Sequence, residues 1–360
     1  MGIPGGLILK RKGYKFTSIL ACAVGFTGVG VQWLSGYVES FGVYVAGAFV
    51  AGFSMCLLNL VVNPMLNTLG GEGKKGNQLV QFGSSLNSIG GTIAPILLGY
   101  LIGGEVAKAK VADAAPALLI AMGIFALAIF IVAFSKIPEP HMETAAEREA
   151  RLSGSTSVVK DIVATLKFRH FTFGALAIFF YIVIECGIPN MANLYMTAEN
   201  TPGYVGAVVA GSVVAVYWFL MMCGRILGGV IGGKVSSKVM VTFCAVVGIA
   251  LMLAAMYAPV KMVSVFGKTV PLSMCFAVAC GICTSVMWGA IFNLAAEGLG
   301  KYVPMGSGIF MCMVFGGVLL PVQGMIADKI GILNSYWLTI ALFAYVLVYA
   351  HVLSKPTKRA

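Results

Sequence analysis

Apolar residues run through this chain in long blocks separated by short polar breaks. Ten blocks reach the roughly 20 residues that a helix needs to cross a hydrocarbon layer: 16–34, 43–69, 78–103, 115–135, 171–196, 205–233, 239–258, 270–296, 303–326 and 333–353. An apolar stub, 1–9, is too short to cross. Membrane β-strands would show alternation over about ten residues, and these runs do not alternate. Gly recurs throughout the blocks, as in transmembrane helices that pack closely through small residues. The pattern predicts an all-α membrane protein.

The polar breaks give the blocks a direction, because Lys and Arg concentrate in cytoplasmic loops. With the Lys10–Lys15 loop inside and each span reversing, Lys74, Lys75, Lys136, Lys234, Lys238 and Lys301 fall inside, as do the basic residues of 148–169, Arg225 and the C-terminal Lys355, Lys358 and Arg359. Only Lys108, Lys110, Lys261, Lys268 and Lys329 fall outside. One missed span would invert every later loop and spoil this segregation.

Composition then excludes several classes. The chain is 59% hydrophobic and 10% charged, with a mean hydropathy of +0.94, against about 25% charged residues in soluble domains. A soluble binding module is excluded, and the lipid bilayer is the solvent. The net charge of +11 is explained by the inside loops and requires no nucleic acid partner. The nine Cys lie in apolar runs as small hydrophobes. Cys280 and Cys283 have CxxC spacing but no second pair, so no metal and no cofactor are expected.

One long polar stretch, 136–169, holds Pro138, Pro140, mixed charge from Glu143 to Arg151 and Ser153-Gly154-Ser155. It reads as a cytoplasmic linker with an amphipathic turn or helix at Val158–Leu166. The expected domains are an N-terminal bundle, 1–135, with four full spans; the linker, 136–169; a six-helix bundle, 170–353; and a cytoplasmic tail, 354–360. The halves repeat weakly, as in secondary transporters. Gly5-Gly6 before Lys10 is echoed by Gly228-Gly229 before Lys234, Asn59-Leu60 by Asn293-Leu294, and Gly90-Gly91 with Pro95 by Gly316-Gly317 with Pro321. That register implies six spans in each half, so a first span and most of a second are expected to lie upstream of Met1; the alternative is a ten-span protein.

These residues resemble the major facilitator superfamily, and within it the fucose, glucose and galactose permease branch of sugar transporters. The likeness rests on Ile3-Pro4-Gly5-Gly6 through Gly13-Tyr14-Lys15, Asn63-Pro64 through Leu69-Gly70, Asn87-Ser88, Trp288-Gly289 with Asn293-Leu294, and Gly298-Leu299-Gly300-Lys301. The glycine-rich basic loop departs from its usual form, having Leu9 or Lys10 where an acid is common. The resemblance implies a two-bundle helical transporter, incomplete at its N-terminus, in the cytoplasmic (inner) membrane. It also implies hexose import coupled to protons or sodium ions, by a monomer. In the fucose permease pattern an acid occupies the position of Asn59 and a sugar-contacting Gln the position of Ser84.

Polar side chains within spans are the candidate site. Glu185 lies mid-span, far from either charged loop, and is expected to bind substrate or the coupling ion, with a structural buried acid as the alternative. Asn190 follows it beyond Pro189, which removes a backbone donor and bends the helix. Asn59 and Asn63 share a helix face and are expected to bind sugar hydroxyls or neighbouring helices; Asn67, near the membrane edge, is expected to cap. Ser84 lies on a polar line with Gln81 and Ser88. Asn293 is expected to line the cavity, and Trp288 to offer a flat face to a pyranose. Lys15, Arg225, Glu297 and Lys301 are the expected gating set, Arg225 snorkelling to headgroups or pairing with a neighbour and Glu297 with Lys301 forming an i,i+4 brace. His170 is expected at the interface.

A membrane enzyme would need a HExxH, a GxSxG or paired intramembrane acids, and the sequence has none. An inactive or structural fragment, or a facilitator of another small polar solute, are the remaining alternatives to a cation-coupled sugar symporter.

Overall fold

The computed structural model of the chain describes residues 1–71, 73–102, 114–152, 158–265 and 267–356, and their side chains except those of 91–92, 94–102 and 150–152. Lys108, Lys110, Lys358, Arg359 and Ser153-Gly154-Ser155 therefore lie outside the described residues, as does the side chain of Pro95. Thirteen α-helices occur among the described residues. The first six are α1 (Gly2–Val38), α2 (Phe41–Leu69), α3 (Gly73–Ile102), α4 (Ala115–Phe134), α5 (Ala145–Leu152) and α6 (Val158–Leu166). There follow α7 (Arg169–Thr197), α8 (Ala207–Gly232), α9 (Ser237–Tyr257), α10 (Leu272–Ala296), α11 (Val303–Met313), α12 (Leu320–Ile330) and α13 (Tyr336–Val348).

Among the described residues nine helical stretches are long and apolar enough to cross a membrane. The tenth predicted span corresponds to α3, a 30-residue helix whose second half is described only in part. The stretch α1 is two helices, one carrying the stub and one the first predicted span, separated by a kink at Gly13, where φ is +81°. Only Gly adopts that left-handed conformation cheaply. The predicted span 303–326 is also interrupted: α11 and α12 are joined by a 3₁₀ stretch, Val314–Leu319, that contains Gly316-Gly317.

Two elements had not been predicted. A β-hairpin pairs β1 (Met262–Val265) with β2 (Lys268–Pro271), with Met262 opposite Pro271 and Val265 opposite Lys268. Alternating Val263, Val265 and Val270 around Gly267, whose φ is +75°, is the signal for it. In the linker, α5 starts at a capping box: the Thr144 N–H and hydroxyl each donate to Glu147 Oε2 at 3.1 Å, and the Glu147 N–H donates to Thr144 Oγ1 at 3.3 Å.

The chain divides into two compact units that do not coincide with the halves on either side of the linker. The first comprises Met1–Met65, Ile89–Thr165 and Leu299–Cys312; the second comprises Leu66–Ser88, Leu166–Gly298 and Met313–Ala360. Each unit thus takes in a segment from the other half. Glycines explain how. In the first unit Gly6 of α1 lies so close to α11 that a Cβ would stand 2.6 Å from the Pro304 carbonyl oxygen. In the second, Gly229 of α8 lies against Phe82 of α3, where a Cβ would stand 2.7 Å from the ring, and Gly228 abuts Val286 and Gln81. The two glycine pairs that repeat in the sequence therefore form equivalent seams, each with a helix from the opposite half. In the second unit α10 is the central helix, packed against α7, α8 and α9. In the first, α1 packs along α4.

Candidate functional site

The candidate site in the second unit is built around Pro189, inside α7. Pro189 has no N–H, which leaves the carbonyl of Glu185, four residues earlier, without its helical partner. The hydroxyl of Tyr217, a fully buried residue of α8, donates to that carbonyl at 2.9 Å. The same hydroxyl is 3.0 Å from Thr284 Oγ1 on α10, and the Tyr181 hydroxyl donates to the Thr284 carbonyl at 3.0 Å. Three helices are thus tied together at the level of Glu185. The Trp288 ring lies tilted against that of Tyr181, centroids 6.2 Å apart.

The Glu185 side chain faces Arg225 of α8. Arg225 Nη2 is 3.3 Å from Glu185 Oε1, and both side chains are largely buried, 14% and 13% exposed. Arg225 Nη1 donates to Ser88 Oγ on α3 at 2.6 Å, and the Ser88 hydroxyl donates to the Ser84 carbonyl at 3.1 Å. The guanidinium therefore bridges α7 and α3 and does not snorkel to headgroups. Its Nε is buried and has no hydrogen-bond partner among the described residues. A buried donor without a partner is costly.

Other predicted residues are placed as follows. Asn59 is exposed, and its amide donates to the Met55 carbonyl at 3.0 Å within α2. Asn63 is buried and donates to the Asn59 carbonyl at 3.0 Å. Asn190 is exposed. Asn293 is buried in a network: its Nδ2 donates to Asn67 Oδ1 at 2.6 Å, while its Oδ1 accepts from the Ser237 hydroxyl at 2.8 Å. Asn67 accordingly joins helices, a role beyond capping its own. Below it Gln81 Nε2 donates to the Val286 carbonyl at 2.8 Å, beside the glycine seam.

Among the gating candidates, α10 ends at Ala296, so the helical i,i+4 spacing that would brace Glu297 with Lys301 is lost. Lys301 instead pairs with Glu147 of the linker at 3.6 Å, and the Glu297 carbonyl meets His170 Nε2 at 2.8 Å. His170 is buried. Lys15 Nζ donates to the Ser135 carbonyl at 3.1 Å. Next to it the Glu139 carboxylate receives the N–H groups of Tyr14 and Lys15, capping the helix that restarts after Gly13, and Lys10 pairs with Asp161 at 2.7 Å. Burial holds the His141 imidazole below the ordinary histidine pKa while its Nδ1 meets the Tyr14 hydroxyl at 2.8 Å. Tyr217 and Thr284 were not recognised as functional from sequence; a hydroxyl on an otherwise apolar span is their only signal. No cluster of His, Cys, Asp or Glu able to hold a metal occurs among the described residues.

A chain of long apolar helices with polar groups buried between them is a multi-pass membrane protein by class. Residues 1–321 match the sequence profile of the Major Facilitator Superfamily, and the chain belongs to that family. It is 28% identical over 361 residues to a glucose/galactose transporter of Brucella abortus biovar 1 (strain 9-941), covering 99% of this chain and 82% of the relative. It is 22% identical over 372 residues to the L-fucose-proton symporter of Escherichia coli (strain K12), covering 97% of this chain and 80% of the relative. The fold is similar to that of the E. coli transporter FucP in the outward conformation, with a TM-score of 0.83 at 20% identity over 99% of this chain and 86% of that one. It is an all-α two-bundle fold of a non-catalytic carrier in the bacterial inner membrane, with nine stretches long and apolar enough to cross it among the described residues. Family membership gives secondary transport of a small polar solute.

Proposed function

We propose that this protein carries a hexose by alternating access, coupled to a proton or sodium ion. The observation that carries the reading is Arg225, which bridges Glu185 and Ser88 while keeping a buried Nε donor without a partner among the described residues. The substrate class comes from the glucose/galactose transporter and the L-fucose-proton symporter that the chain is similar to.

In this reading Trp288 stacks on the apolar face of the pyranose, and Arg225 Nε donates to a ring hydroxyl. In the second unit Asn190 supplies an amide, with Ser84 behind Ser88; in the first unit Asn59 and Asn63 are candidate sugar-binding amides in their own right. Glu185 is the coupling acid. When ionised it holds Arg225; on proton or sodium binding its charge is neutralised, and the guanidinium is freed toward substrate and Ser88. Coupling requires that the cation favour one conformation over the other, and a salt bridge present in only one of them gives that difference. The glycine seams of α1 and α8 allow helices of opposite halves to meet and part with little side-chain rearrangement.

The test uses proteoliposomes and labelled glucose, galactose and fucose. Counterflow of one of these that is competed by the unlabelled sugar, together with accumulation under a proton or sodium gradient, supports the reading. Counterflow without accumulation under either gradient would make the protein a facilitator, and no sugar counterflow would reject the hexose assignment.

A further inference from the structure

A cavity lies apart from the Glu185 cluster, beside the β-hairpin of the second unit. It has a volume of about 290 Å³ and is walled by α8, α10 and the hairpin. Val213, Val216 and Leu220 line it at i, i+3 and i+7 on α8, and Met274 and Val278 at i, i+4 on α10. This volume has room for roughly ten groups of water size at ~30 Å³ each.

Nearly all of the wall is hydrocarbon. The polar exceptions sit together: Lys268 Nζ donates to Ser212 Oγ at 2.6 Å, which fixes the ammonium on the cavity's rim. An ammonium has three donors, so two remain for a ligand. None of the ion pairs among the described residues includes Lys268. A sugar is a poor occupant, because its hydroxyls would face valines and be left unpaired. A long apolar tail ending in an anion matches both the wall and its charge. The helices that form the wall are long and apolar enough to cross a membrane, and α10 starts directly after the hairpin, which puts the cavity toward one end of that span.

We propose that this cavity is a binding site for one acyl chain of an anionic phospholipid, whose phosphate is held by Lys268 and Ser212. Occupancy fills the gap between α8 and α10 at the hairpin end and fixes the spacing of those two helices. The site thus gives the transporter a dependence on lipid headgroup charge that is separate from substrate recognition.

Native mass spectrometry of the purified protein tests this with phosphatidylglycerol and phosphatidylcholine of identical chains, supplied at equal concentration. The wild type is expected to retain phosphatidylglycerol about fivefold better, the effect of one lysine on an anionic headgroup. In Lys268→Gln, an exposed change that leaves the fold intact, the preference should disappear. In Val216→Trp, which fills the cavity, retention of both lipids should fall; Val265→Trp fills it from the hairpin and replaces that variant if melting curves show Val216→Trp to be unfolded. Equal retention of both lipids by the wild type, a preference that survives Lys268→Gln, or retention unchanged by filling the cavity, as for annular lipid only, would each overturn the proposal.

Discussion

Arg225 contacts Glu185 with one terminal nitrogen, at 3.3 Å, and Ser88 with the other, at 2.6 Å, so a single guanidinium joins a helix from each side of the linker. Breaking a buried ion pair by removing one partner costs about 3–5 kcal/mol, because the remaining charge is left without compensation. Glu185→Ala should therefore lower the thermal midpoint markedly in detergent and abolish transport. Glu185→Gln keeps an acceptor for Arg225 but cannot titrate. It should retain sugar counterflow and lose accumulation driven by an ion gradient. Accumulation that survives Glu185→Gln under both proton and sodium gradients assigns Glu185 to structure alone.

The two asparagines of the repeated Asn-Leu pair should behave differently. Asn293→Ala removes the donor to Asn67 and the acceptor for Ser237, leaving buried groups unsatisfied at about 1–3 kcal/mol. Its expected signature is a lower melting temperature. Asn59 is exposed and bonds only within its own helix among the described residues, so Asn59→Ala should leave melting unchanged and raise the half-saturating sugar concentration. Unchanged counterflow kinetics in Asn59→Ala would remove this amide from the site.

Gly6 lies against backbone, which cannot yield as a side chain can. Gly6→Ala should push α1 away from α11 and expose Cys312, whose Sγ lies beside Gly2 in the same seam. Faster maleimide labelling of Cys312 in Gly6→Ala than in the wild type would report this separation. An unchanged labelling rate would mean that the seam absorbs a methyl group without opening.

The linker should make stability dependent on acid. Burial lowers the folded-state pKa of His141, so the folded state takes up its proton less readily than the unfolded chain does. The sign follows: the contribution is complete above the ordinary histidine pKa of about 6.5 and is lost as pH falls below it. His141→Gln should flatten the melting temperature between about pH 7.5 and 5.5 relative to the wild type. Glu139→Gln should cost about 1 kcal/mol by weakening the cap on Tyr14 and Lys15, and should speed proteolysis of the linker.

The spans were legible in the sequence because each must hide its backbone from lipid and so must be both long and apolar. The amphipathic turn or helix expected around Val158–Leu166 is helix α6 among the described residues, since its amphipathic period is strong. The hairpin was hidden inside a loop too short for its alternation to stand out beside ten apolar blocks. Glu185 stood out as an acid in hydrocarbon, but its partner did not, because Arg225 lies close enough to a basic loop to be read as interfacial. Pairings such as Arg225 with Ser88 and Asn67 with Asn293 join residues more than a hundred positions apart, and periodicity within one helix carries no record of them.

The six residues Val314–Leu319 between α11 and α12 are wound as a 3₁₀ helix. Such a helix advances about 2.0 Å and turns about 120° per residue, against about 1.5 Å and 100° in an α-helix. Rewinding all six to α geometry would shorten the rod by about 3 Å and rotate everything beyond Leu319 by about 120° about the axis. A local change of winding at Gly316-Gly317 is therefore a screw: it converts axial travel at one end into a change of the face that α12 presents at the other, carrying Gln323 from one set of neighbours to the next.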